Sequence, residues 1–480
     1  MTLQQLLFGT MFRKRPTDPL DDVLFRWPAT KDPFTLRQML RSVEVKGITG
    51  SGKSSGSGKF FTEAIVKHPR STCLIVAQKP EDKQFYQDIF RRHNKPLLVM
   101  EEGSNWRCNF LDTELKAGAD TRGIVEFLST LGEALDGGNV RTSDPFWKKL
   151  EERILFSAVE SLKLGTGKVE APALLKFIST AAYKPERLKD EAWRGMFHNK
   201  VLEAAYHKKK TSIEQADFEL LFDFWTNEFV TMDDKPRSSG LAGVMNTIHT
   251  FNTGLVRDIC STETTLTPAV QDEGVSVLLN FPFAQYGPTG RFIAGGMKYK
   301  WQKHIMRRHW NPGGFFNVMI LDEYQEICSE LDARYLAQCR SHGGAMFCLT
   351  QTIHSEYSAM SGHGHHHRAD QLLSNFGHHV FHAVDAQTAE YASNLLGKRR
   401  EAFVSYQPKS DLTMGEEIFG TAGGTGSFSE SYQNVLQPAV FMTGLRCGGP
   451  PSFCVDGIVV KSGEPFGNGE NWQLVTFSQR

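Results

Sequence analysis

Long apolar runs are missing from this chain of 480 residues. No window reaches the roughly 18 apolar residues that a membrane-spanning helix needs, so we expect a protein with no membrane span of its own, located in the cytoplasm. The eight cysteines contain no C-x-x-C pair. This scatter argues against a disulfide framework and is typical of reduced thiols in a cytoplasmic protein.

An excess of charge of either sign is missing too, because 54 Lys and Arg residues balance 54 Asp and Glu residues. The balance excludes a uniformly basic, histone-like binder of nucleic acid, although it leaves room for a local DNA-binding surface. The length exceeds what one hydrophobic core normally supports and therefore predicts two or three domains.

A glycine-rich segment at residues 47–54 carries the clearest chemistry. It reads Gly-Ile-Thr-Gly-Ser-Gly-Lys-Ser, follows a short apolar strand pattern at 43–46 and precedes a helical pattern at 60–66. Such a P-loop wraps backbone N–H groups around phosphates, while its lysine reaches the β- and γ-oxygens and its final hydroxyl completes a Mg²⁺ shell. A flexible Gly/Ser linker is the alternative interpretation. The predicted nucleotide ligands are Gly47, Thr49, Gly50, Ser51, Gly52, Lys53, Ser54 and Ser55.

A second motif of the same chemistry lies at residues 315–323, where an apolar run ends in Asp322 and Glu323. This pattern predicts a Walker B strand. We expect Asp322, together with Ser54, to hold Mg²⁺, and Glu323 to polarise the water that attacks the γ-phosphate of ATP. A solvated turn after a strand is the alternative, and the P-loop upstream disfavours it.

Two further polar residues follow in an order typical of P-loop motors. Gln351 comes directly after the apolar run 345–350, where a sensor of the γ-phosphate is expected. Arg340 precedes a glycine turn between the Walker B strand and this run, and an arginine here can reach the γ-phosphate of a neighbouring subunit. The alternatives are a polar strand cap for Gln351 and a surface ion pair with Glu330 or Asp332 for Arg340.

Apolar runs that alternate with helical patterns predict an α/β fold with a mostly parallel sheet. Long amphipathic helical patterns replace strands between the two halves of this pattern, which indicates an all-α insertion. The Gly/Ser/Thr-rich stretch 410–426 reads as a loop or linker, and short strands are predicted at 453–461 and 472–477. The predicted division is an N-terminal extension at 1–40, a motor domain at 41–111 and 264–409, an all-α domain at 112–263, and a linker with a small β-rich element at 410–480.

The arrangement resembles the type IV secretion coupling proteins of the TraG/TraD type, relatives of the FtsK and HerA DNA-pumping ATPases. The resemblance spans residues 44–400 and includes more than the two Walker motifs. Its further motifs are 144–147 at the start of a long helix, 236–239 and 254–257 near the end of the helical block, 277–282, Leu321-Asp322-Glu323-Tyr324, the Arg340 turn, 350–352 and 385–391.

The resemblance implies a RecA-like P-loop ATPase core that assembles as a ring, usually of six subunits, and uses ATP and Mg²⁺ to move DNA or a DNA–protein complex. ATP would lie between subunits, and the DNA contacts would be with phosphates, independent of sequence. A relaxase or a separate membrane or secretion protein is an expected partner. The chain departs from the family at residues 77–80, where an acidic residue is missing, and in having no pair of transmembrane helices.

Two other interpretations remain open. The same site could serve an ATP-binding ring that scaffolds or regulates a nuclease or defence system, as in HerA-like proteins. A nucleotide kinase fits less well, because the helical insertion lacks a lid with clustered arginines. The histidine-rich run 363–367 could bind a transition metal, but the pattern favours a polar loop, whose place after the predicted sensor strand also allows contact with DNA.

Overall fold

The computed structural model describes residues 18–135, 145–360, 367–408 and 424–480. The strands in these ranges are β1 (Val23–Arg26), β2 (Pro33–Thr35), β3 (Val43–Lys46), β4 (Ser71–Val76), β5 (Leu97–Met100), β6 (Ser276–Leu279), β7 (Phe316–Leu321), β8 (Gly344–Thr350), β9 (His378–Phe381), β10 (Lys398–Pro408), β11 (Gly424–Asn434), β12 (Cys454–Lys461) and β13 (Trp472–Ser478).

The helices in the same ranges connect and cover these strands. They are α1 (Leu36–Met39), α2 (Lys59–Lys67), α3 (Asp82–Arg92), α4 (Phe110–Lys116), α5 (Thr121–Leu135), α6 (Pro145–Thr166), α7 (Ala171–Ser179), α8 (Glu191–Arg194), α9 (Phe197–His207), α10 (Ser212–Asp223), α11 (Phe229–Thr231), α12 (Asp234–Phe251), α13 (Gly254–Cys260), α14 (Phe283–Arg307), α15 (Glu330–Gln338), α16 (Ile353–Met360), α17 (His367–Ser374), α18 (Ala386–Leu396) and α19 (Pro438–Thr443).

A nine-stranded sheet in the order β13-β12-β9-β3-β8-β7-β4-β6-β5 forms the centre of the molecule. The strands from β9 to β5 in this order pair in parallel, as the apolar runs predicted. Parallel strands are covered by helices on both faces and are therefore apolar almost throughout. The residues of β4, β7 and β8 are all buried.

Alternate residues of each strand point into two different cores. On one face Val43 and Ile75 pack with Phe61 and Ile65 of α2. On the other face, alternate side chains of β4 and β7 belong to a core that continues into most of the helices between α4 and α13. The sheet and the helical block therefore share apolar packing along this second face.

The helical block lies between β5 and β6 in the sequence, and these two strands are neighbours in the sheet. The block thus leaves and re-enters the sheet at one edge, which agrees with the all-α insertion expected from the sequence. Its helical path widens into a π-turn at Phe224–Glu228. None of the described helices combines the length and the apolar character needed to cross a membrane.

The last two strands form the antiparallel edge of the central sheet. β12 runs antiparallel to β9, and β13 antiparallel to β12. A long hairpin of β10 and β11 precedes them. The interpretation of 410–426 as a linker needs correction at its end, because β11 already begins at Gly424, while residues 409–423 lie outside the described ranges.

The described part of the N-terminal extension begins at residue 18 and contains β1 and β2. These strands form a hairpin, and its aromatic side chains pack edge to face with Phe61 of α2 and with Phe466 near the C-terminus. The extension therefore covers the outer face of α2.

Candidate active site

The carboxyl ends of β3, β8 and β7 meet at one edge of the sheet, because these strands are parallel and adjacent. The glycine-rich segment follows β3, Gln351 follows β8, and Asp322 and Glu323 follow β7. Open α/β sheets bind ligands at this edge. The topology therefore brings both predicted Walker motifs and the predicted sensor together.

The backbone of the P-loop takes the conformation that its glycines permit. Gly50 and Gly52 have φ angles of 80° and 81°, a region that residues with a Cβ rarely adopt. A Cβ added to Gly50 would meet no atom within 4 Å, so open space lies beside the loop. Ser51 Oγ is buried and has no hydrogen-bond partner, which leaves a hydroxyl available to a ligand.

The loop opens into helix α2 through a π-turn at Ser54–Gly58. Gly58 N donates to Lys53 O over 2.7 Å. Gly47 N donates to Thr350 O over 3.3 Å, which ties the start of the loop to β8. Lys53 is held at the start of the turn with its side chain almost buried, at 8% exposure.

The predicted Mg²⁺ ligands are in direct contact. Ser54 Oγ donates a hydrogen bond of 2.9 Å to Asp322 Oδ2. Burial raises the pKa of Asp322, and the charge of Glu323 raises it further, although Lys53 and the Ser54 hydroxyl oppose both effects. A buried carboxylate that lacks full charge compensation is a good ligand for a cation, because the cation relieves this cost. Ser54 and Asp322 therefore fit a Mg²⁺ ion.

Glu323 is held by three side chains. Its Oε1 lies 3.6 Å from Lys53 Nζ, and its Oε2 accepts hydrogen bonds from Gln325 Nε2 at 2.7 Å and from Gln351 Nε2 at 3.0 Å. Its backbone has φ 43° and ψ 47°, in the left-handed region. Strained backbone of this kind is concentrated at functional sites. Here it accompanies a turn that points the carboxylate toward Lys53.

Gln351 links the two motifs. Besides its bond to Glu323, its Oε1 accepts from Thr49 Oγ1 at 3.4 Å. The side-chain amide of Gln351 thus contacts the P-loop and Glu323 at the same time.

Arg340 is not part of this cluster. It lies in a short 3₁₀ turn before β8, whereas Gln351 follows the far end of that strand. A strand of seven residues separates the two by about 20 Å. The surface ion pairs considered for Arg340 are not formed, because Glu330 pairs with Arg368 and Asp332 with Lys298. Arg340 is exposed.

A buried group of charges beneath the site was not predicted. Lys46, the last residue of β3, donates to Glu44 at 3.0 Å, Glu356 at 2.7 Å and Thr350 at 3.2 Å. Glu44 also contacts His379 of β9 at 3.1 Å. The signal in the sequence was the pair of charged residues, Glu44 and Lys46, inside an otherwise apolar strand.

Two more polar contacts at this edge were also missed. Ser57 Oγ lies 2.7 Å from His382 Nε2, and burial lowers the pKa of His382 to about 4. Gln479 Nε2 donates to Ser55 Oγ over 2.7 Å. Both contacts join the π-turn at Ser54–Gly58 to parts of the chain more than 300 residues away, a separation that local sequence patterns do not cover.

The histidine-rich run falls almost entirely outside the described residues, since only His367, at the start of α17, is included. Within the described ranges, no group of three or more His, Cys, Asp or Glu side chains is arranged to hold a metal ion.

Comparison with known proteins gives a match to one family over part of the chain, and a fold. Residues 317–443 match a protein family described as the TraM recognition site of TraD and TraG. Among curated proteins, no sequence matches the chain.

Solved structures share the architecture over nearly the whole chain. The bacterial conjugative coupling protein TrwBdeltaN70, in an unbound form, is 13% identical, with 97% of this chain and 89% of that chain covered and a TM-score of 0.57. The plasmid coupling protein TrwB in complex with the ATP analogue ADPNP is also 13% identical, with 100% and 94% covered and a TM-score of 0.58. Its complex with ADP and Mg²⁺ is 12% identical, with 95% and 89% covered and a TM-score of 0.57.

These likenesses confirm the predicted fold class, a RecA-like P-loop ATPase core with a mostly parallel sheet and an inserted all-α block. Residues 317–443 thus match the TraD and TraG family model, and the chain shares the fold of a conjugative coupling protein, so its resemblance to coupling proteins of the TraG/TraD type is confirmed.

Proposed function

We propose that the chain is an ATP-hydrolysing coupling ATPase of conjugative transfer that moves DNA or a DNA–protein complex. The contact between Ser54 Oγ and Asp322 Oδ2, 2.9 Å long, carries this proposal. This contact places the Ser54 hydroxyl of the P-loop against Asp322, which follows β7. Both residues are required to hold Mg²⁺ beside a triphosphate.

The P-loop residues provide the phosphate site. Backbone N–H groups of residues 52–55 and the Lys53 ammonium bind the phosphate oxygens, and the Ser51 hydroxyl of the same loop has no hydrogen-bond partner. When bound at Ser54 and Asp322, Mg²⁺ supplies positive charge that offsets the charge developing on the γ-phosphate. Solved structures of plasmid coupling protein TrwB with an ATP analogue, and with ADP and Mg²⁺, support both ligands.

Glu323 orients the attacking water. Its carboxylate is fixed by Lys53, Gln325 and Gln351, so that it faces the P-loop without needing to reorient when ATP binds. Because Gln351 also contacts Thr49, loss of the γ-phosphate changes the surroundings of an amide attached to β8. Gln351 thereby acts as the sensor.

Assembly into a ring completes the site. Arg340 lies at the opposite end of β8 from the P-loop of its own chain, so it serves a neighbouring subunit. An arginine supplied in this way stabilises charge in the transition state. We propose a homo-oligomeric ring of six subunits with ATP bound between them.

The DNA contacts in this proposal are with phosphates and do not depend on sequence, which suits a motor. The family match supports a further contact between the segment 317–443 and a TraM-type protein. A relaxase and a membrane-bound secretion protein are the other proposed partners, with the ring working in the cytoplasm. The proposed division is 41–111 with 264–409 for the motor, 112–263 for the all-α domain, and 1–40 and 410–480 for the terminal parts.

ATP hydrolysis with and without DNA tests the proposal. We expect turnover to rise when single- or double-stranded DNA is added. We expect Glu323→Gln to lower turnover by a factor of about 10²–10⁴ while the protein still binds ATP. Glu326→Gln is the matched control, because Glu326 pairs with Arg291 instead of Lys53.

Two results would contradict the proposal. Normal hydrolysis by the Glu323→Gln protein would remove the assigned role of this residue. If the wild-type protein binds ATP but its ATP turnover does not change when DNA is added, at concentrations where rings form, the result would favour a ring that scaffolds a nuclease or defence system.

A further inference from the structure

The end of the chain lies against the P-loop. In the sheet, β9, β12 and β13 are on the side of β3 opposite to β7. Since β12 is antiparallel to β9 and β13 is antiparallel to β12, the start of β12 and the end of β13 lie at the same edge as the P-loop. The loop 447–453 and residues 479–480 therefore border the site on its far side from Asp322.

Glycines of the P-loop permit a close approach here. A Cβ on Gly52 would lie 2.4 Å from Val455 Cγ2 and 3.1 Å from Cys447 O. A Cβ on Gly56 would lie 3.3 Å from Val455 Cβ. The first approach leaves no room for a side chain, so Gly52 is needed for its contact with β12 as well as for its positive φ angle.

Gln479 connects the loop to the nucleotide ligands. Its Nε2 donates to Ser55 Oγ at 2.7 Å, and its Oε1 accepts from Gly449 N at 2.8 Å. Its own backbone N donates to Phe453 O at 2.9 Å. The side chain of Gln479 thus joins Ser55, the residue after the Mg²⁺ ligand Ser54, to Gly449 of the loop, and its backbone joins Phe453 at the end of the loop.

The loop also carries a flat surface, formed by the half-buried Phe453 and the exposed Arg480. The guanidinium of Arg480 lies over the ring of Phe453, 4.4 Å from its centroid. The start of the loop is fixed by Arg446, whose Nε and Nη2 contact the two carboxylate oxygens of Asp456 at 2.7 and 2.8 Å. An aromatic ring and a guanidinium plane are the groups on which nucleobases stack.

The direction of the nucleotide's phosphate chain determines which part of the nucleotide contacts the surface formed by Phe453 and Arg480. Lys53 reaches the β- and γ-phosphates, so the α-phosphate lies toward Ser54 and Ser55. The ribose and base continue beyond Ser55, away from Glu323, where Gln479 and the loop 447–453 stand. We propose that this C-terminal wall holds the nucleoside part of the nucleotide, with Gln479 at the ribose side and the Phe453–Arg480 pair against the base.

This inference rests on the proposed function and assigns residues to the part of the site that the Walker motifs leave open. Ser55 Oγ accepts the amide hydrogen of Gln479 and keeps its own O–H to donate to the α-phosphate, so the contact with the wall does not compete with phosphate binding. The wall therefore contributes to affinity for the nucleoside and leaves phosphate binding unchanged.

Calorimetric titration of the full chain with ADP and, separately, with tripolyphosphate tests the inference. Tripolyphosphate carries the phosphate chain without ribose or base. We expect Gln479→Ala and Arg480→Ala each to weaken ADP binding about tenfold, within the range measured for base stacking, and to leave tripolyphosphate binding unchanged. Gln437→Ala, an exposed glutamine before α19, is the matched control and should bind both as the wild type does.

Each other outcome has a defined meaning. Unchanged ADP binding in both variants, or equal weakening of ADP and tripolyphosphate, overturns the inference. A wild-type protein that binds neither ligand overturns the proposed function itself. Photolabelling with 8-azido-ATP gives a second measurement, and an ATP-protected label outside residues 446–480 would also overturn the inference.

Discussion

The side-chain amide of Gln351 donates to Glu323 over 3.0 Å and accepts from Thr49 over 3.4 Å. The residue that follows β8 is thus bonded to both the proposed water-orienting acid and the P-loop. Such a bridge couples the position of β8 to what occupies the phosphate site.

Replacing this amide tests the bridge. We expect Gln351→Ala to lower kcat by a factor of about 10–140, because a hydrogen bond to a charged group contributes about 1.5–3 kcal/mol and about 1.4 kcal/mol corresponds to tenfold in rate. The KM for ATP should change little, since Gln351 contacts Glu323 and not Lys53. Gln338→Ala, an exposed position at the end of α15, provides the control. An equal fall of kcat in both variants would show that the loss is not due to the bridge.

Arg340 should act between subunits. We expect Arg340→Ala to retain ATP binding and to lose hydrolysis by a factor of about 10³–10⁵, as found for arginines supplied in trans. Mixing Arg340→Ala with Glu323→Gln subunits should restore part of the activity, because some interfaces then combine an intact Glu323 with an intact Arg340. Steady-state hydrolysis across mixing ratios measures this, and a mixture no more active than its components contradicts the assignment.

The buried Lys46 should be important for stability. Lys46→Met leaves Glu44 and Glu356 buried without their shared cation, and breaking a buried pair in this way costs about 3–5 kcal/mol. We expect a clear fall in the free energy of unfolding, measured by denaturant titration. Lys67→Met, at an exposed position in the last turn of α2, should change it little. Similar stability in both variants would show that the buried charges are compensated in another way.

Glu356 gives the protein a pH dependence. Burial raises its pKa to about 7 from an ordinary 4.5, and the charge of Glu44 adds to this effect, although Lys46 opposes it. The folded state therefore binds a proton that the unfolded state has lost between pH 4.5 and 7, so this group's contribution to stability decreases as pH rises through that window.

Glu356→Gln removes this titration. We expect the free energy of unfolding of the variant to fall less than that of the wild type between pH 5 and 7.5, in denaturant titrations at fixed ionic strength. Glu44 does not titrate between pH 5 and 7.5. Although burial raises its pKa, Lys46 and His379 outweigh this effect and lower the pKa to about 2. Parallel pH profiles for the two proteins would contradict the assignment.

Local sequence patterns predicted the parts of the fold that depend on neighbours in the chain. Apolar runs located the parallel strands, and the spacing of residues 47–54 and 322–323 identified the two motifs. The hairpin of β10 and β11 was missed, because its second strand begins within a stretch rich in Gly, Ser and Thr. The pairing of β12 with β9 was missed for another reason, since local patterns do not show which distant strand a segment joins.

The candidate site likewise contains residues that local motifs predicted and contacts between distant segments that they did not. Lys53, Ser54, Asp322 and Glu323 were found from motif chemistry, and the structure places them in one cluster. The contact of Lys46 with Glu356 spans 310 positions, and that of Ser55 with Gln479 spans 424. Such contacts are set by the order of strands in the sheet, which no window of sequence contains.

The charges within β3 have a consequence for how the chain folds. Glu44 and Lys46 share one face of the strand and meet His379 on β9 and Thr350 on β8. A slip of one residue would turn both charges into the apolar layer around Val43 and Val45. We infer that this mismatch penalises incorrect pairings of β3, so the start of the phosphate loop is fixed in place as soon as the strand finds its neighbours.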